Sequence, residues 1–425
     1  MSNPEPRRDD GLGHRRRPTG NFVDGLRSMA GLPRVIWVLG VASLFNDVSS
    51  EAIFPLLPVF LTSLGAPMRY IGLIEGSADA LASVLKVVAG RWSDRGPRRL
   101  LVVGGYAMPA LARAAMAAAL APWHVLTARL LDRTAKGLRS GPRDAMIAES
   151  VPSTQRGRAF GLNRSMDHLG AAVGSLLASL LMLAFGQTQS SYRVVFLIAA
   201  GIGMIAPIVL FLRLREQPAD MADRSGSFET REPGSLRRGY SSYLVACMLF
   251  ALGNSSDAFL LIRAHEVGWS SSHLPLLWTF HHLVKSLAAV PGGTLSDRHS
   301  RGVVVAFGWG AYALTYVGFG FASERWQILG LFLAYALYHG LAEGAERAIV
   351  ADLSDRGARG RAYGLYHGLI GAAALPAGIG TGLIWDRWGP TWALGVNAAF
   401  AAAASAVLMA LTFAGPLRRG PAPVR

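Results

Sequence analysis

Long apolar runs alternate with short polar connections along almost the whole chain. A helix that crosses a bilayer core of roughly 30 Å needs about 20 mostly apolar residues, and twelve runs are long enough. They cover approximately residues 35–63, 68–90, 100–120, 123–145, 158–185, 192–213, 241–263, 271–294, 302–322, 326–349, 361–385 and 390–414. The pattern therefore predicts an all-α membrane protein with twelve transmembrane helices.

Polar segments divide this pattern into five parts. Residues 1–34 are rich in arginine, glycine and proline, and residues 214–240 concentrate charges between the sixth and seventh runs. We predict a disordered cytoplasmic tail over 1–34 and an N-terminal six-helix bundle over 35–213. A cytoplasmic linker over 214–240, a C-terminal six-helix bundle over 241–414 and a cytoplasmic tail over 415–425 complete the predicted organisation.

The basic residues are distributed unevenly between the two sides that this topology defines. The chain has 42 Lys and Arg against 27 Asp and Glu. Most of them lie in the tails and in every second connection, whereas the alternate connections hold Arg69, Arg193, Arg263, Arg325 and Arg387. Because basic connections remain cytoplasmic, we expect both termini in the cytoplasm and the chain in the inner (plasma) membrane.

Composition changes how the positive charge is interpreted. The chain is 51% hydrophobic and only 16% charged, with a mean hydropathy of +0.32. Soluble domains average about 25% charged residues. The formal charge of +15 therefore indicates membrane topology, and no nucleic-acid partner is expected.

A sequence repeat relates the two halves of the pattern. Residues 156–162 (Arg-Gly-Arg-Ala-Phe-Gly-Leu) recur as residues 359–365 (Arg-Gly-Arg-Ala-Tyr-Gly-Leu), 203 positions later. The Ser-Asp-Arg of residues 93–95 recurs at 296–298 with the same offset. A shared offset indicates a duplicated six-helix unit, and two parallel repeats are the architecture of many transporters.

The loop between the second and third runs resembles a signature of the major facilitator superfamily. Residues 90–99 read Gly-Arg-Trp-Ser-Asp-Arg-Gly-Pro-Arg-Arg, and a degenerate copy occupies residues 293–301. Arg129, followed by Lys136 and Gly137, is similar to the family's fourth-helix signature. The resemblance implies two pseudo-symmetric six-helix bundles (MFS fold) and transport of a small molecule by alternating access.

This resemblance implies a cytoplasmic gate at the repeated loops. Such a gate holds the cytoplasmic side shut when the opposite side is open, although a basic loop that serves topology alone is the alternative. The expected gate residues are Gly90, Asp94, Arg95, Arg98, Arg99, Gly293, Asp297, Arg298, Arg301, Glu149, Arg158, Asp352 and Arg361.

Ionisable residues within the predicted spans are costly in a bilayer and indicate function. Asp47 and Glu51 are four residues apart on one helix face. The predicted proton-coupling and substrate-cavity residues are Asp47, Glu51, Glu75, Asp79, Arg129, Asp132, Arg133, Asp167, Asp257 and Glu343. They fit a site where a carboxylate exchanges a proton as an arginine approaches or withdraws. They also fit a static charge network that only holds the bundle together.

Two further sets of residues receive different interpretations. Glu346 and Arg347 are expected at the cytoplasmic end near the gate. Seven tryptophans near predicted span ends indicate an interfacial belt rather than a binding site: Trp37, Trp123, Trp269, Trp326, Trp385, Trp388 and Trp392.

These observations favour a secondary active transporter over an enzyme. The sequence has no phosphate-binding loop motif for ATP and no His-Glu-x-x-His metal motif, so neither cofactor nor metal is expected. We expect a monomer in the lipid bilayer that is coupled to protons and exports small organic or amphipathic compounds. The alternatives are a proton-coupled importer of a small organic solute or metal chelate, a non-transporting receptor and a membrane-embedded enzyme.

Overall fold

The computed structural model describes residues 32–93, 98–151, 156–214, 236, 239–354 and 359–414. Within these residues the chain is helical. The helices are α1 (Arg34–Ile53), α2 (Leu57–Ser63), α3 (Met68–Ser93), α4 (Arg98–Ala117), α5 (Pro122–Glu149), α6 (Arg156–Phe185), α7 (Gln189–Arg213), α8 (Tyr240–Gly253), α9 (Ala258–Glu266), α10 (Leu274–Arg298), α11 (Arg301–Phe321), α12 (Arg325–Asp352), α13 (Arg359–Trp388) and α14 (Pro390–Ala414). Outside this range lie the predicted C-terminal tail, the predicted N-terminal tail except residues 32–34, and the predicted linker except residues 214, 236, 239 and 240. Residue 34 is the first residue of α1 rather than part of a tail.

Two of the predicted spans are each interrupted, which leaves twelve spans in the described residues. The first contains α1 and α2, and three turn residues, 54–56, separate them. Pro55 and Pro58 lack the backbone N–H groups that would continue the helix. The seventh contains α8 and α9, separated by the polar residues 254–257.

Hydropathy separates the spans into two groups. Eight are long and apolar enough to cross a membrane by length and composition alone. The other four long helices, α3, α5, α10 and α12, carry most of the ionisable residues that the sequence places inside the membrane. Helices with this composition are stable in a bilayer when their polar faces turn toward the protein interior or a water-filled cavity.

The twelve spans form two six-span units, a first half (α1–α7) and a second half (α8–α14). Helix α3 of the first half packs along α13 of the second, and α6 packs along α10. We call the end where α1 begins and α14 ends the basic end, and the opposite end the far end. The expected all-α fold with two six-helix bundles is confirmed.

Glycines bring α3 and α13 into backbone contact toward the far end. A Cβ atom on Gly72 or on Gly378 would overlap the carbonyl oxygen of the other residue. The contact continues to Gly371, whose Cβ would overlap Ser83 of α3, whereas Gly364 and Gly368 nearer the basic end have no such contact. Among the described residues, the glycine contacts between the two helices therefore run from the far end to the middle of α13.

Among the described residues, most of the hydrogen bonds that join the first half to the second half also lie at the far end. At the far end, Asp386 accepts bonds from the backbone N–H groups of Met68 and Arg69, and Ser179 donates to the carbonyl of Ser272. Tyr192 donates to Ser271 at 2.6 Å. The cleft between the halves is thus closed at the far end.

Only some of the tryptophans in the predicted interfacial belt are exposed. Trp123, Trp326, Trp388 and Trp392 are exposed on the outer surface. Trp385 is instead buried, and its indole N–H points to Glu266 Oε1 at 3.3 Å. The interfacial interpretation was wrong for Trp385, because it faces a neighbouring helix.

Candidate functional site

The cleft between the halves contains a cavity of about 260 Å³. Helices α3 and α5 of the first half and the break between α8 and α9 of the second contribute to its walls. The lining residues are Phe54, Glu75, Gly76, Asp79, Arg133, Asn254, Ser255, Ser256, Asp257, Tyr335, His339 and Ala374. The cavity thus brings together four of the predicted site residues: Glu75, Asp79, Arg133 and Asp257.

A buried bidentate ion pair joins α3 to α5 at the cavity wall. Arg129 donates from Nε to Glu75 Oε1 at 3.0 Å and from Nη2 to Glu75 Oε2 at 2.5 Å. Both side chains are buried. The parallel geometry matches the guanidinium fork to the carboxylate, which makes this a strong type of charge-assisted hydrogen bond.

A second buried ion pair lies deeper in the first half. Arg113 donates to Asp132 Oδ1 at 3.0 Å, and it also donates to the backbone carbonyl and side-chain oxygen of Asn46. Neither Arg113 nor Asp132 lines the cavity. The prediction placed Asp132 in the cavity and did not single out Arg113, whose partner is on another helix. The structure favours a structural role for this pair.

Asp79 and Arg133 form a looser pair at the cavity surface. Arg133 Nε lies 3.8 Å from Asp79 Oδ1, which is beyond hydrogen-bond distance. Half of the Asp79 side chain is exposed. The Asp79 carboxylate is therefore accessible to a solute or to water in the cleft.

Two predicted carboxylates lie at the contact between α1 and α6. Asp47 accepts a hydrogen bond from Asn46 Nδ2 at 2.8 Å. Asp167 accepts from Asn163 at 3.3 Å and lies 3.6 Å from Arg164, as expected for an i,i+3 pair. Neither lines the 260 Å³ cavity, so the prediction that they belong to one cavity with Glu75 is not reproduced.

Glu51 does not share the contacts of Asp47. It contacts the second half of the chain instead. Its Oε2 accepts a hydrogen bond from the Trp278 indole N–H at 2.8 Å. His282 Nε2 lies 3.8 Å from the same oxygen, and neither ring nitrogen of His282 has a hydrogen-bond partner among the described residues. Glu51 is therefore a carboxylate on a contact between the halves.

Aromatic side chains dominate the wall of the cleft that the second half of the chain contributes. Tyr335 donates to Asp257 Oδ1 at 2.6 Å, and His281 stacks against Tyr335 with ring centroids 5.3 Å apart. A second cavity of about 180 Å³ is lined by Cys247, Phe250, Ala251, Asn254, Lys285, Trp309, Tyr338, His339, Glu346, Tyr366 and Ile370. Sequence reasoning missed these aromatics, since tryptophan and tyrosine within a span ordinarily indicate packing.

Glu346 occupies this second cavity rather than the gate. It accepts hydrogen bonds from Trp309 Nε1 at 2.7 Å and from the Tyr366 hydroxyl at 3.2 Å. Its expected position at the gate was wrong, because the helix face that carries it turns toward α11 and α13.

The described part of the predicted gate consists of contacts within each half. Arg301 and Asp352 form an ion pair between the start of α11 and the end of α12. Arg99 donates to the Phe211 carbonyl at 2.8 Å. Asp94 and Arg95, the side chains of Arg98, Asp297, Arg298, Glu149, Arg158 and Arg361, and the surroundings of Gly90 and Gly293 lie outside the described residues. The same is true of the Glu343 side chain.

Arg301→Gln and Asp352→Asn are expected to have equal and small effects on thermal stability. Asp352 is half exposed, and exposed pairs contribute about 0.2–1 kcal/mol. The double variant is expected to be no less stable than either single variant in detergent melting experiments. Additive losses would contradict a direct interaction between the two side chains.

A sequence profile of the Major Facilitator Superfamily matches residues 39–263 and, a second time, residues 242–424. The chain belongs to the major facilitator superfamily. The two matches agree with the duplicated architecture, and the expectation of a transporter rather than an enzyme is confirmed. Like other members of the superfamily, the chain is a multi-pass membrane protein that acts on a small-molecule substrate.

Relatives of this superfamily member include proteins with and without a described role. An uncharacterized MFS-type transporter of Methanocaldococcus jannaschii is 31% identical over 363 residues, covering 83% of this chain and 89% of that protein. The multidrug resistance protein MdtH of Salmonella arizonae is 23% identical over 342 residues, covering 79% and 82%.

Solved structures of superfamily members share the fold at low sequence identity. A bacterial homologue of the human lysosomal transporter Spinster, in an inward-facing and occupied conformation, has a TM-score of 0.73 at 15% identity and covers 92% of this chain and 98% of that one. The nucleoside transporter NupG has a TM-score of 0.71 at 12% identity and covers 90% and 100%. These likenesses show the fold alone.

Proposed function

We propose that this superfamily member couples the movement of protons to the export of small organic, amphipathic solutes. The observation that carries the proton coupling is the position of Glu51, an ionisable group on a contact that the two halves make across the cleft. Export is favoured by the relationship to proteins named for multidrug resistance. The acidic and aromatic lining of the cleft suits organic solutes.

The contact between Glu51 and Trp278 depends on the charge of the carboxylate. A hydrogen bond to an ionised acceptor is about twice as strong as one between neutral groups. Proton uptake by Glu51 therefore weakens a contact that holds the halves together, and proton release strengthens it. His282 Nε2 lies 3.8 Å from this carboxylate oxygen, beside the contact but beyond hydrogen-bond distance of it. The protonation state of this cluster would shift the equilibrium between the two open states.

We further propose that the basic end faces the cytoplasm and that the chain lies in the plasma membrane as a monomer. The excess of lysine and arginine at that end supports this orientation. The cleft described above, closed at the far end, would then be the cytoplasm-facing state. The five segments given by the polar stretches (1–34, 35–213, 214–240, 241–414 and 415–425) remain our proposal for its organisation.

Glu51→Gln is expected to abolish transport driven by a pH gradient while retaining exchange of solute. Glutamine still accepts a hydrogen bond from Trp278, but it cannot carry a proton. Proteoliposomes would be assayed with a labelled compound selected by thermal-shift screening of a metabolite and antibiotic panel. Glu324→Gln, an exposed substitution at the far end, is the control.

The same assay tests the rest of the proposal. A protonophore is expected to reduce accumulation by the unmodified protein to the level of Glu51→Gln. Accumulation that a protonophore leaves intact would rule out proton coupling. Movement of the solute in the same direction as the protons would indicate the importer alternative instead.

A further inference from the structure

The two halves of the chain differ in chemistry at equivalent positions of the duplicated sequence, both in the cleft and beside it. Helices α5 and α12 keep the offset of 203 residues from their first residue to their last. This offset aligns Asp132 of the first half with Tyr335 of the second, and Lys136 with His339. Charged positions in the first copy are thus aromatic or imidazole positions in the second.

The neighbouring helices show the same replacement. Along α3 and α10 the offset aligns Glu75 with Trp278 and Asp79 with His282. Along α4 and α11 it aligns Arg113 with Tyr316. At these positions the second half therefore has ring systems where the first half has charged residues, and Asp257 is a carboxylate on the same side of the cleft as the rings. A solute that contacts Asp257 and the rings needs a charged part and a flat apolar part.

The residues that line the larger cavity indicate the sign of the charge that the solute carries. Three carboxylates line it, those of Glu75, Asp79 and Asp257, against one lining cation, Arg133. Glu75 is already bound to Arg129. Asp257 accepts a hydrogen bond from the Tyr335 hydroxyl, but it belongs to none of the ion pairs found among the described residues. The cavity therefore has a carboxylate that can receive a cation.

The smaller cavity supplies the aromatic surface. Phe250, Trp309, Tyr338 and Tyr366 line it, and Phe250 and Trp309 stack with ring centroids 4.5 Å apart. Asn254 and His339 line both cavities, so the two spaces adjoin. Two further lining residues, Lys285 and Glu346, carry opposite charges.

We propose that the cleft binds organic cations in which a protonated amine is joined to a planar aromatic ring, with the amine at Asp257 and the ring in the smaller cavity. A carboxylate provides the charge-assisted hydrogen bond, and aromatic side chains contribute offset or edge-to-face contacts with the ring. The inference rests on the proposed function only in taking this cleft as the transport site.

Four probes, three of them naphthalene derivatives, separate the two requirements. 2-(1-Naphthyl)ethylamine has both the ring and the amine. 2-(1-Naphthyl)ethanol keeps the ring without the charge, 2-cyclohexylethylamine keeps the charge without the aromatic ring, and 1-naphthylacetate reverses the charge. Titration of the purified full-length chain in detergent at pH 7 is expected to give at least tenfold weaker binding for each of the last three.

Two variants assign the parts of the ligand to the two cavities. Asp257→Asn is expected to weaken the naphthyl amine at least tenfold and to leave the naphthyl alcohol within twofold. Tyr338→Leu is expected to weaken both of these ring-bearing probes and to leave cyclohexylethylamine within twofold. Glu324→Gln removes a charge outside the cleft and is expected to change none of them.

Three results would overturn the proposal. They are equal affinity for the amine and the alcohol, a uniform loss for all probes in Asp257→Asn, and the absence of saturable binding by the naphthyl amine. Equilibrium binding requires no proton gradient, so a failure of proton coupling in proteoliposomes leaves this test intact. Conversely, coupled transport of a solute of another class would reject the cation proposal alone.

Discussion

Gly378→Ala is expected to reduce transport by about fivefold or more, although it adds a single methyl group. The new Cβ would overlap the carbonyl oxygen of Gly72 on α3, so α3 and α13 must separate at the far end. Overpacking of a close contact costs about 1–3 kcal/mol, which corresponds to about a 5- to 150-fold shift of a two-state equilibrium. The measurement is the initial rate of solute exchange in proteoliposomes.

Gly380→Ala provides a control on the same helix. Its Cβ would meet no atom within 4 Å, and the change in helix propensity is the same for both substitutions. A cysteine introduced at Ser272 in a Cys247→Ala background reports closure, because Ser272 is buried at the far end and contributes only its backbone carbonyl to the contact with Ser179. It is expected to react faster with a bulky maleimide in Gly378→Ala than in Gly380→Ala. Equal reactivity would mean that the glycine contact does not control closure.

Arg129→Leu is expected to destabilise the protein severely, by about 3–5 kcal/mol, because it leaves Glu75 as a buried charge without its partner. The Glu75→Leu/Arg129→Leu double variant is expected to recover most of that loss, since paired apolar replacements of a buried ion pair are often neutral. Thermal melting in detergent and the yield of monodisperse protein measure both effects. A double variant as unstable as the single one would contradict this account.

Transport by the double variants separates a structural pair from a functional one. Glu75 lines the cavity, so the Glu75→Leu/Arg129→Leu variant is expected to remain inactive although it is stable. Arg113 and Asp132 lie away from the cavity, so the matched variant Arg113→Leu/Asp132→Leu is expected to recover both stability and transport. Recovery of transport in both would identify the two pairs as structural.

The sequence predicted the spans, the duplication and the ionisable residues within the spans, because these depend on the pattern within one segment or on its repetition. Glu75 and Arg129 were among those residues and do meet beside the cleft. The partners of Arg113, Glu51 and Glu346 were not predicted, since each is on a different helix. Which faces meet is decided by the relative rotation of packed helices, and a helix turns by about 100° per residue.

The break within the first span and the aromatic wall were missed for different reasons. Pro55 and Pro58 are compatible with a kinked helix as well as with two helices. Trp278 and Trp309 have no distinctive spacing, and their indole N–H groups become informative only when a carboxylate is seen beside them. Alignment of the two copies at the 203-residue offset was the signal that could have indicated them.

The confinement of the buried ion pairs to single halves has an electrical consequence. Arg129 and Glu75 move together, as do Arg113 and Asp132. Each pair therefore moves in the electric field across the membrane as a neutral unit. A single charge moved through 100 mV changes the free energy by about 2.3 kcal/mol. Voltage therefore acts little on the reorientation of these pairs, and any voltage dependence of that step would come from the cargo, its counter-ions or the ionisable residues outside the pairs.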